Sequence, residues 1–230
     1  MEYDIGHRPS YAQLTLDLEA GESVRAEAGA MVSKAPHIDV TTSAEGGVLK
    51  SLSRSLFGGE SFFMNTFTAS EPGQLQLAPA LSGDVQHHRL DDETLYVQSS
   101  SFLASDPSVD VDTEFGGAKT FFGGEGLFLL RMSGTGPVFL SSYGAIDEHD
   151  VTAGESFVVD TGHIVAFEDS LSFDVRKVGG LKSTLFSGEG LVCEFEGDGR
   201  VWTQTRSPDA FLSWLIPKLP SRNTTTSTST

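Results

Sequence analysis

The sequence Phe57-Gly58-Gly59-Glu60-Ser61-Phe62 recurs twice further along the chain, and this recurrence decides the fold. The second copy is Phe122-Gly123-Gly124-Glu125-Gly126-Leu127, and the third is Phe186-Ser187-Gly188-Glu189-Gly190-Leu191. The Gly-Glu steps of the copies are 65 and 64 residues apart, and the glycine turns that follow the copies are spaced by 63 residues. Self-similarity at one period predicts an architecture of three structural repeats of about 64 residues.

Each copy is followed by two short runs rich in β-forming residues, with a glycine turn between them. This pattern predicts a β-hairpin in every repeat, over residues 62–78, 127–142 and 191–205. Further strands are predicted upstream of the hairpins, at residues 23–32, 95–104 and 156–167. Many short strands at regular spacing are typical of an all-β sandwich or barrel, so we expect that fold class.

The strand patterns differ between the copies. In the third copy, Leu191, Cys193 and Phe195 alternate with Val192, Glu194 and Glu196, which predicts one buried face and one solvated face. The second copy reads Leu127-Phe128-Leu129-Leu130 and the first reads Phe62-Phe63-Met64, both apolar on two faces. We therefore predict that these two strands are covered on both sides, either by other layers of the same chain or by another subunit.

Two helices interrupt the β pattern. The segment Val48–Phe57 places Leu49, Leu52 and Leu56 on one face, lies where the first copy is longer than the others, and is a candidate partner- or membrane-binding helix. A second helix is predicted over residues 207–216, with Ser207 as the N-cap and Pro208 in the first turn. We expect a single domain over residues 1–220, with repeats at about 1–70, 71–134 and 135–206, and a disordered tail at 221–230.

Composition limits the classes of partner. Acids outnumber bases 32 to 15, giving a formal net charge of −17, which disfavours nucleic acid and an anionic membrane surface as electrostatic partners. The spread of acids along the chain favours salt adaptation, as in halophilic proteins, over recognition of a basic protein partner. The single cysteine, Cys193, cannot form an internal disulfide and is predicted to lie in the core. With no signal peptide or membrane-spanning run in the sequence, we expect a cytoplasmic protein.

The repeated glutamates are the most specific polar signal. The motif residues are Gly59, Glu60, Gly124, Glu125, Gly188 and Glu189. Repeat symmetry could bring the three carboxylates together around a cation or ligand, but hydrogen bonding to backbone amides at glycine-rich turns is the favoured interpretation. His87 and His88 are adjacent and should point to opposite faces of a strand, and residues 147–150 are interpreted as a solvated acidic loop. We therefore predict no catalytic residue, metal site or cofactor.

The repeat and its surroundings resemble the AIM24 family over roughly residues 3–216. The most specific matching stretches are Gly58–Phe67, Phe122–Gly126, Val201–Arg206 and Ala26–Val32. The resemblance implies a TRAP-like β-sandwich, related to the double-stranded β-helix, built from internal repeats and often assembled as trimers. It implies no established activity and no catalytic residues, and the mitochondrial role of eukaryotic relatives does not carry over without a transit peptide.

Together these observations predict a non-enzymatic protein that serves as an oligomeric scaffold or binding module, with a homotrimer favoured. A peripheral membrane or protein partner is expected at the Val48–Phe57 segment. The alternative is a small-molecule- or metal-binding protein that uses the interior of the sandwich, with a cupin-like enzyme less favoured.

Overall fold

The structure is a computed structural model that describes residues 1–44, 63–112, 128–177 and 191–220 of the 230-residue chain. These residues form the strands β1 (Glu2–Gly6), β2 (Gln13–Leu18), β3 (Ser23–Glu27), β4 (Met31–Lys34), β5 (Ile38–Ala44), β6 (Phe63–Ala69), β7 (Gly73–Leu77), β8 (Val85–Gln98), β9 (Phe102–Ser105), β10 (Asp110–Asp112), β11 (Leu129–Ser141), β12 (Ile146–Val151), β13 (Ser156–Asp160), β14 (Ile164–Glu168), β15 (Leu171–Lys177), β16 (Leu191–Gly197) and β17 (Gly199–Gln204). One α-helix, α1 (Pro208–Leu215), follows the last strand. The predicted all-β fold is confirmed.

Strand pairing follows one scheme in three consecutive segments, which we call units: residues 13–77, 85–141 and 146–204. In the first unit, β2–β7–β4 form sheet I and β3–β6–β5 form sheet II. In the third unit, β12–β17–β14 and β13–β16–β15 are the corresponding sheets. In the second unit the long strands β8 and β11 run through both sheets, with β9 completing sheet I and β10 completing sheet II. The breaks between units fall a few residues later than the predicted breaks after residues 70 and 134.

Each unit turns a corner between its two sheets. The segments at 23–32, 95–104 and 156–167, each predicted as one strand, are in fact two strands separated by three residues. The corner residues are Ala28–Ala30, Ser99–Ser101 and Thr161–His163, the last two being turns of 3-10 helix. The strand before the corner belongs to sheet II and the strand after it to sheet I. β-forming residues lie on both sides of each corner, and a single glycine, Gly29 or Gly162, is the turn signal at two of the three.

The core consists of three apolar clusters, one for each unit. Leu103, Ala104 and Phe139 of the second unit complete the first cluster. In the same way, Ala166 and Trp202 of the third unit complete the second cluster. The third cluster surrounds Phe167 and Phe195, and its described members come from the second and third units alone. Two of the three clusters are therefore closed by sheet I of the following unit.

The two-sided burial predicted for the second copy is confirmed. Leu130 packs in the second cluster, whereas its neighbour Leu129 points the other way into the third, so layers of the same chain cover both faces. In the first copy Met64 is buried, whereas Phe63, the first residue of β6, is 43% exposed in the described part of the single chain. Cover for Phe63 by another subunit therefore stays a prediction.

The third copy shows the alternation that the sequence predicted. Cys193 and Phe195 are buried and Glu196 is exposed. Burial raises the pKa of the Cys193 thiol to about 12, so the thiol stays protonated and unreactive at neutral pH. Helix α1 begins where expected, because Ser207 caps it by accepting a hydrogen bond from the Ala210 amide at 3.4 Å. Within the described ranges, no helix is long and apolar enough to cross a membrane.

Candidate interaction surface

The site residues predicted from the sequence lie outside the described residues. They are the repeat-motif residues Gly59, Glu60, Gly124, Glu125, Gly188 and Glu189, together with Leu49, Leu52 and Leu56 of the predicted inserted helix. The candidate interaction surface among the described residues consists instead of the strands that join one unit to the next.

Adjacent units are joined by strand pairing between sheet II of one unit and sheet I of the next. β3 pairs with β9, which places Ala26 opposite Ala104. β8 pairs with β14, which places Val97 opposite Ala166. Ala26 and Val97 are equivalent, because each lies two residues before the three-residue corner of its unit. The two junctions thus share one register.

The strands for a third junction of this kind are present, but among the described residues they do not pair with each other. β13 is equivalent to β3 and to the second half of β8, yet in the described part of the chain it pairs with β16 alone. β4 is equivalent to β9 and β14, yet among the same residues it pairs with β7 alone. Both strands therefore present a free edge of backbone N–H and C=O groups, which is a template for pairing with another strand.

Side-chain exposure distinguishes the open junction from the two formed ones. Val32 in β4 is 53% exposed, whereas Leu103 and Val165, its equivalents in β9 and β14, are completely buried. On the other edge, Val158 in β13 is 46% exposed. Each of the two free edges therefore carries an exposed apolar side chain.

The two edges also differ in charge. Lys34 ends β4, and within the described ranges its only hydrogen bond is a long one, 3.5 Å, from Nζ to the Ala35 carbonyl. The sheet that contains β13 carries four acids, Asp160, Asp174, Glu194 and Glu196, against two bases, Arg176 and Lys177. Arg176 compensates only one of these carboxylates, since it forms its ion pair with Glu194 at 2.9 Å. A cationic edge and a mainly anionic sheet are complementary.

A cleft of about 540 Å³ is the second candidate site. It is lined by Tyr3, Asp4, Ile5, Arg8, Gln86, His87, Ile146 and Glu148. The Arg8 guanidinium is already engaged with both carboxylate oxygens of the buried Asp84, at 2.7 and 2.8 Å. Glu148 likewise accepts from Arg200 at 3.0 Å and from the Gln86 amide. Besides these paired charges and the carboxylate of Asp4, the cleft offers a stacked pair of rings, Tyr3 on His87 with their centroids 4.7 Å apart.

The histidines behave as predicted, but the acidic loop does not exist. His87 packs against Tyr3 and Phe139 on one face of β8, while His88 packs against Trp202 on the other, and burial lowers the pKa of both imidazoles. Residues 147–150 form part of β12 instead of a loop, because β12 pairs with β17 along its whole length. The described residues contain no group of three or more histidine, cysteine, aspartate or glutamate side chains arranged for a metal ion.

One polar position recurs at the end of the strand before each corner. Glu27, Gln98 and Asp160 occupy it in the three units. Asp160 accepts a hydrogen bond from the Gly162 amide at 2.9 Å and so stabilises its corner. Gln98 is completely buried, and both polar atoms of its amide lack a partner within the described residues. Burial raises the pKa of Glu27 to about 7, because the charged carboxylate is desolvated.

The search against protein families identifies one match along most of the chain. Residues 3–206 match the family described as "Mitochondrial biogenesis AIM24". An uncharacterised protein of Streptococcus pyogenes serotype M6 is 28% identical over 228 residues, which cover 96% of this chain and 92% of that protein.

A solved structure has the same fold. The crystal structure of another Streptococcus pyogenes protein superposes with a TM-score of 0.79 at 26% sequence identity, and the match covers 95% of this chain and 99% of that one.

Proposed function

The chain belongs to the AIM24 family, and from this premise we propose that it is a non-catalytic scaffold that assembles from several copies, with a trimer as the favoured size. The observation that carries the proposal is the open junction. In the described part of the chain, β4 and β13 each keep one free edge, although their equivalents in the other units are paired on both sides. An exposed strand edge with apolar side chains is a template for pairing with another chain, and it invites nonspecific aggregation if it is left uncovered.

Self-association of a chain with a net charge of −17 has a physical cost. Like charges on the copies repel one another, and salt screens this repulsion over about 10 Å at 0.1 M ionic strength. Burial of apolar side chains at the junction opposes the repulsion. The scaffold is therefore expected to assemble more completely as salt increases. The proposal keeps a cytoplasmic location, which the single reduced cysteine supports.

The test is the native mass in solution at low and at high salt, measured for the wild type and for Val158→Lys. The wild type should have a mass that is a whole multiple of the chain mass, and the multiple should increase with salt. Val158→Lys should shift the distribution toward the single chain, because it places a charge on the exposed edge. Val40→Lys is the matched control, since Val40 in β5 is 40% exposed and lies outside the junction. A wild type that stays monomeric at every salt concentration would exclude the scaffold.

The alternative function, small-molecule binding, would use the cleft that contains Tyr3 and His87. The same measurement separates the two, because a retained ligand would add mass to each subunit. The scaffold is better supported, since the charged groups Arg8 and Glu148 at the cleft are already paired within the protein.

A further inference from the structure

We propose that the open junction is closed between two molecules of this chain. β4 of one molecule pairs antiparallel with β13 of the next, and Lys34 lies opposite Val158. This inference rests on the proposed scaffold and specifies its interface. In the two formed junctions, Arg25 lies opposite Ser105 and Tyr96 lies opposite Phe167.

The register follows from the position of each residue relative to its corner. Arg25, Tyr96 and Val158 each lie three residues before the corner of their own unit. Ser105, Phe167 and Lys34 each lie on the fourth residue after a corner. Because the two formed junctions pair these same positions, the third pairs Val158 with Lys34 and Val159 with Ser33. A β-bulge supports the equivalence of the three strands. β4, β9 and β14 each shift register against their neighbour in sheet I at the second residue after the corner.

A second molecule of this same chain is the partner that fits both edges. Each edge lacks one strand, and the missing strand is present on the other edge of the same chain. In a single chain the two edges do not cover each other, because Val32 and Val158 are both about half exposed. One copy can therefore offer β4 to a neighbour and β13 to another. Such a head-to-tail contact closes into a ring when the rotation between copies permits, and otherwise extends as a filament.

The side chains on the two edges match. Lys34 placed opposite Val158 lies in one row with Glu194 and Asp174, since Val158 is opposite Glu194 and Glu194 is opposite Asp174. The cation at the edge of one copy thus meets a row of carboxylates on the next. Val32 takes the position at which Leu103 and Val165 are completely buried, so it would become buried over the third cluster. On the same face of the third unit, Val159 belongs to the third cluster and would lie opposite Ser33.

One position at the junction buries less apolar surface than its equivalents do, which explains why the junction is not closed within one chain. Phe139 and Trp202 are the large aromatic residues of sheet I that close the first and second clusters. The equivalent residue in the first unit is Gln76, which lies opposite Ser33 and accepts a hydrogen bond from its hydroxyl at 2.7 Å. A polar pair in place of an aromatic side chain buries less apolar surface, as suits a contact that forms between separate molecules.

The test is site-specific disulfide formation between two variants that each add one cysteine, Lys34→Cys and Val158→Cys, mixed as full-length proteins at high salt. Residues directly opposite in an antiparallel pair have Cβ atoms about 4.5–5.5 Å apart, close enough for a disulfide after slight adjustment. Cys193 does not interfere, because its thiol is buried. The mixture should give a cross-linked dimer at least tenfold more than either variant alone, and the double variant Lys34→Cys/Val158→Cys should give a ladder of multimers. Val40→Cys mixed with Val158→Cys is the control and should not cross-link.

The outcomes separate this inference from the scaffold itself. A double variant that cross-links only within single chains would show that β4 and β13 close the junction inside one molecule, which overturns the second copy as partner. An assembled wild type that yields no Lys34–Val158 cross-link would refute the register while leaving the scaffold in place. A wild type of monomeric native mass would refute both.

Discussion

Replacing Glu27 by glutamine should stabilise the protein, and more so at high pH. Burial raises the pKa of this carboxyl in the folded protein to about 7 from an ordinary value of 4.5. Each unit of this difference corresponds to about 1.4 kcal/mol, so ionised Glu27 lowers the free energy of unfolding by about 3 kcal/mol at most. Glutamine has almost the same shape and carries no charge, so Glu27→Gln removes this cost.

The sign of the pH dependence follows from proton binding. Below pH 4.5 the carboxyl is protonated in both the folded and the unfolded chain and costs nothing. Stability falls as pH rises from 4.5 to 7, because the unfolded chain releases its proton first, and the cost is constant above the folded pKa. The stabilisation by Glu27→Gln should therefore be about 1 kcal/mol at pH 5.5 and about 3 kcal/mol at pH 8.

Urea denaturation at pH 5.5 and at pH 8 measures the change in the free energy of unfolding, and thermal denaturation provides a second readout. The melting temperature at pH 8 should increase by roughly 6–12 °C, given about 2–4 °C per kcal/mol for a chain of this size. Glu196→Gln is the matched control, because the Glu196 side chain on β16 is exposed, and it should change stability by less than about 0.5 kcal/mol at either pH. Equal effects of Glu27→Gln at pH 5.5 and pH 8 would refute the argument that desolvation of the carboxylate is the cause.

Two further substitutions test the polar groups of the core by urea denaturation. Arg8→Leu leaves the carboxylate of Asp84, which is 2% exposed, buried without its cation. The variant should lose about 2–3 kcal/mol of unfolding free energy, less than for a fully buried ion pair because Arg8 itself is half exposed. Arg176→Leu removes the exposed ion pair to Glu194 and should cost less than about 1 kcal/mol, so similar losses for both variants would contradict the role of burial. Gln98→Leu removes a buried amide that has no hydrogen-bond partner among the described residues and should stabilise the protein by about 1–2 kcal/mol, whereas a loss would show that the amide is satisfied.

Local patterns were sufficient to predict most strands. The alternation of Cys193 and Phe195 with charged residues and the two-sided apolar run at Leu129 and Leu130 each led to the correct burial. These patterns depend only on the two-residue period of a strand and on what lies on each face. The N-cap at Ser207 is equally local, because the cap bonds to an amide three residues away.

Features that depend on pairing between distant strands could not be predicted in the same way. Residues 147–150 were interpreted as a loop because they are polar, yet six residues of β17 pair with the strand that contains them. The corner at Ser99–Ser101 lacks glycine and proline, which are the strongest turn signals, and carries only the weaker signal of three consecutive serines. Tertiary pairing decides both cases, and it acts between residues far apart in the sequence.

The open junction could be recognised only after the equivalent strands had been aligned. One signal was present in the sequence, since the first unit has Gln76 where the later units have Phe139 and Trp202. A polar residue at a position otherwise occupied by a large aromatic residue indicates an interface that differs from the others. The assignment of that position required the strand register, which the sequence alone does not contain.

Backbone amide hydrogen exchange of the wild type at low and at high protein concentration reports directly on pairing of the two edges. Amides in β4 and β13 should exchange more slowly as concentration and salt increase, because strand pairing between molecules protects them. The outer strand β1, which pairs with β2 alone among the described strands, should exchange at an unchanged rate. Exchange in β4 and β13 that is independent of concentration, in a sample whose native mass shows assembly, would contradict pairing of these two edges.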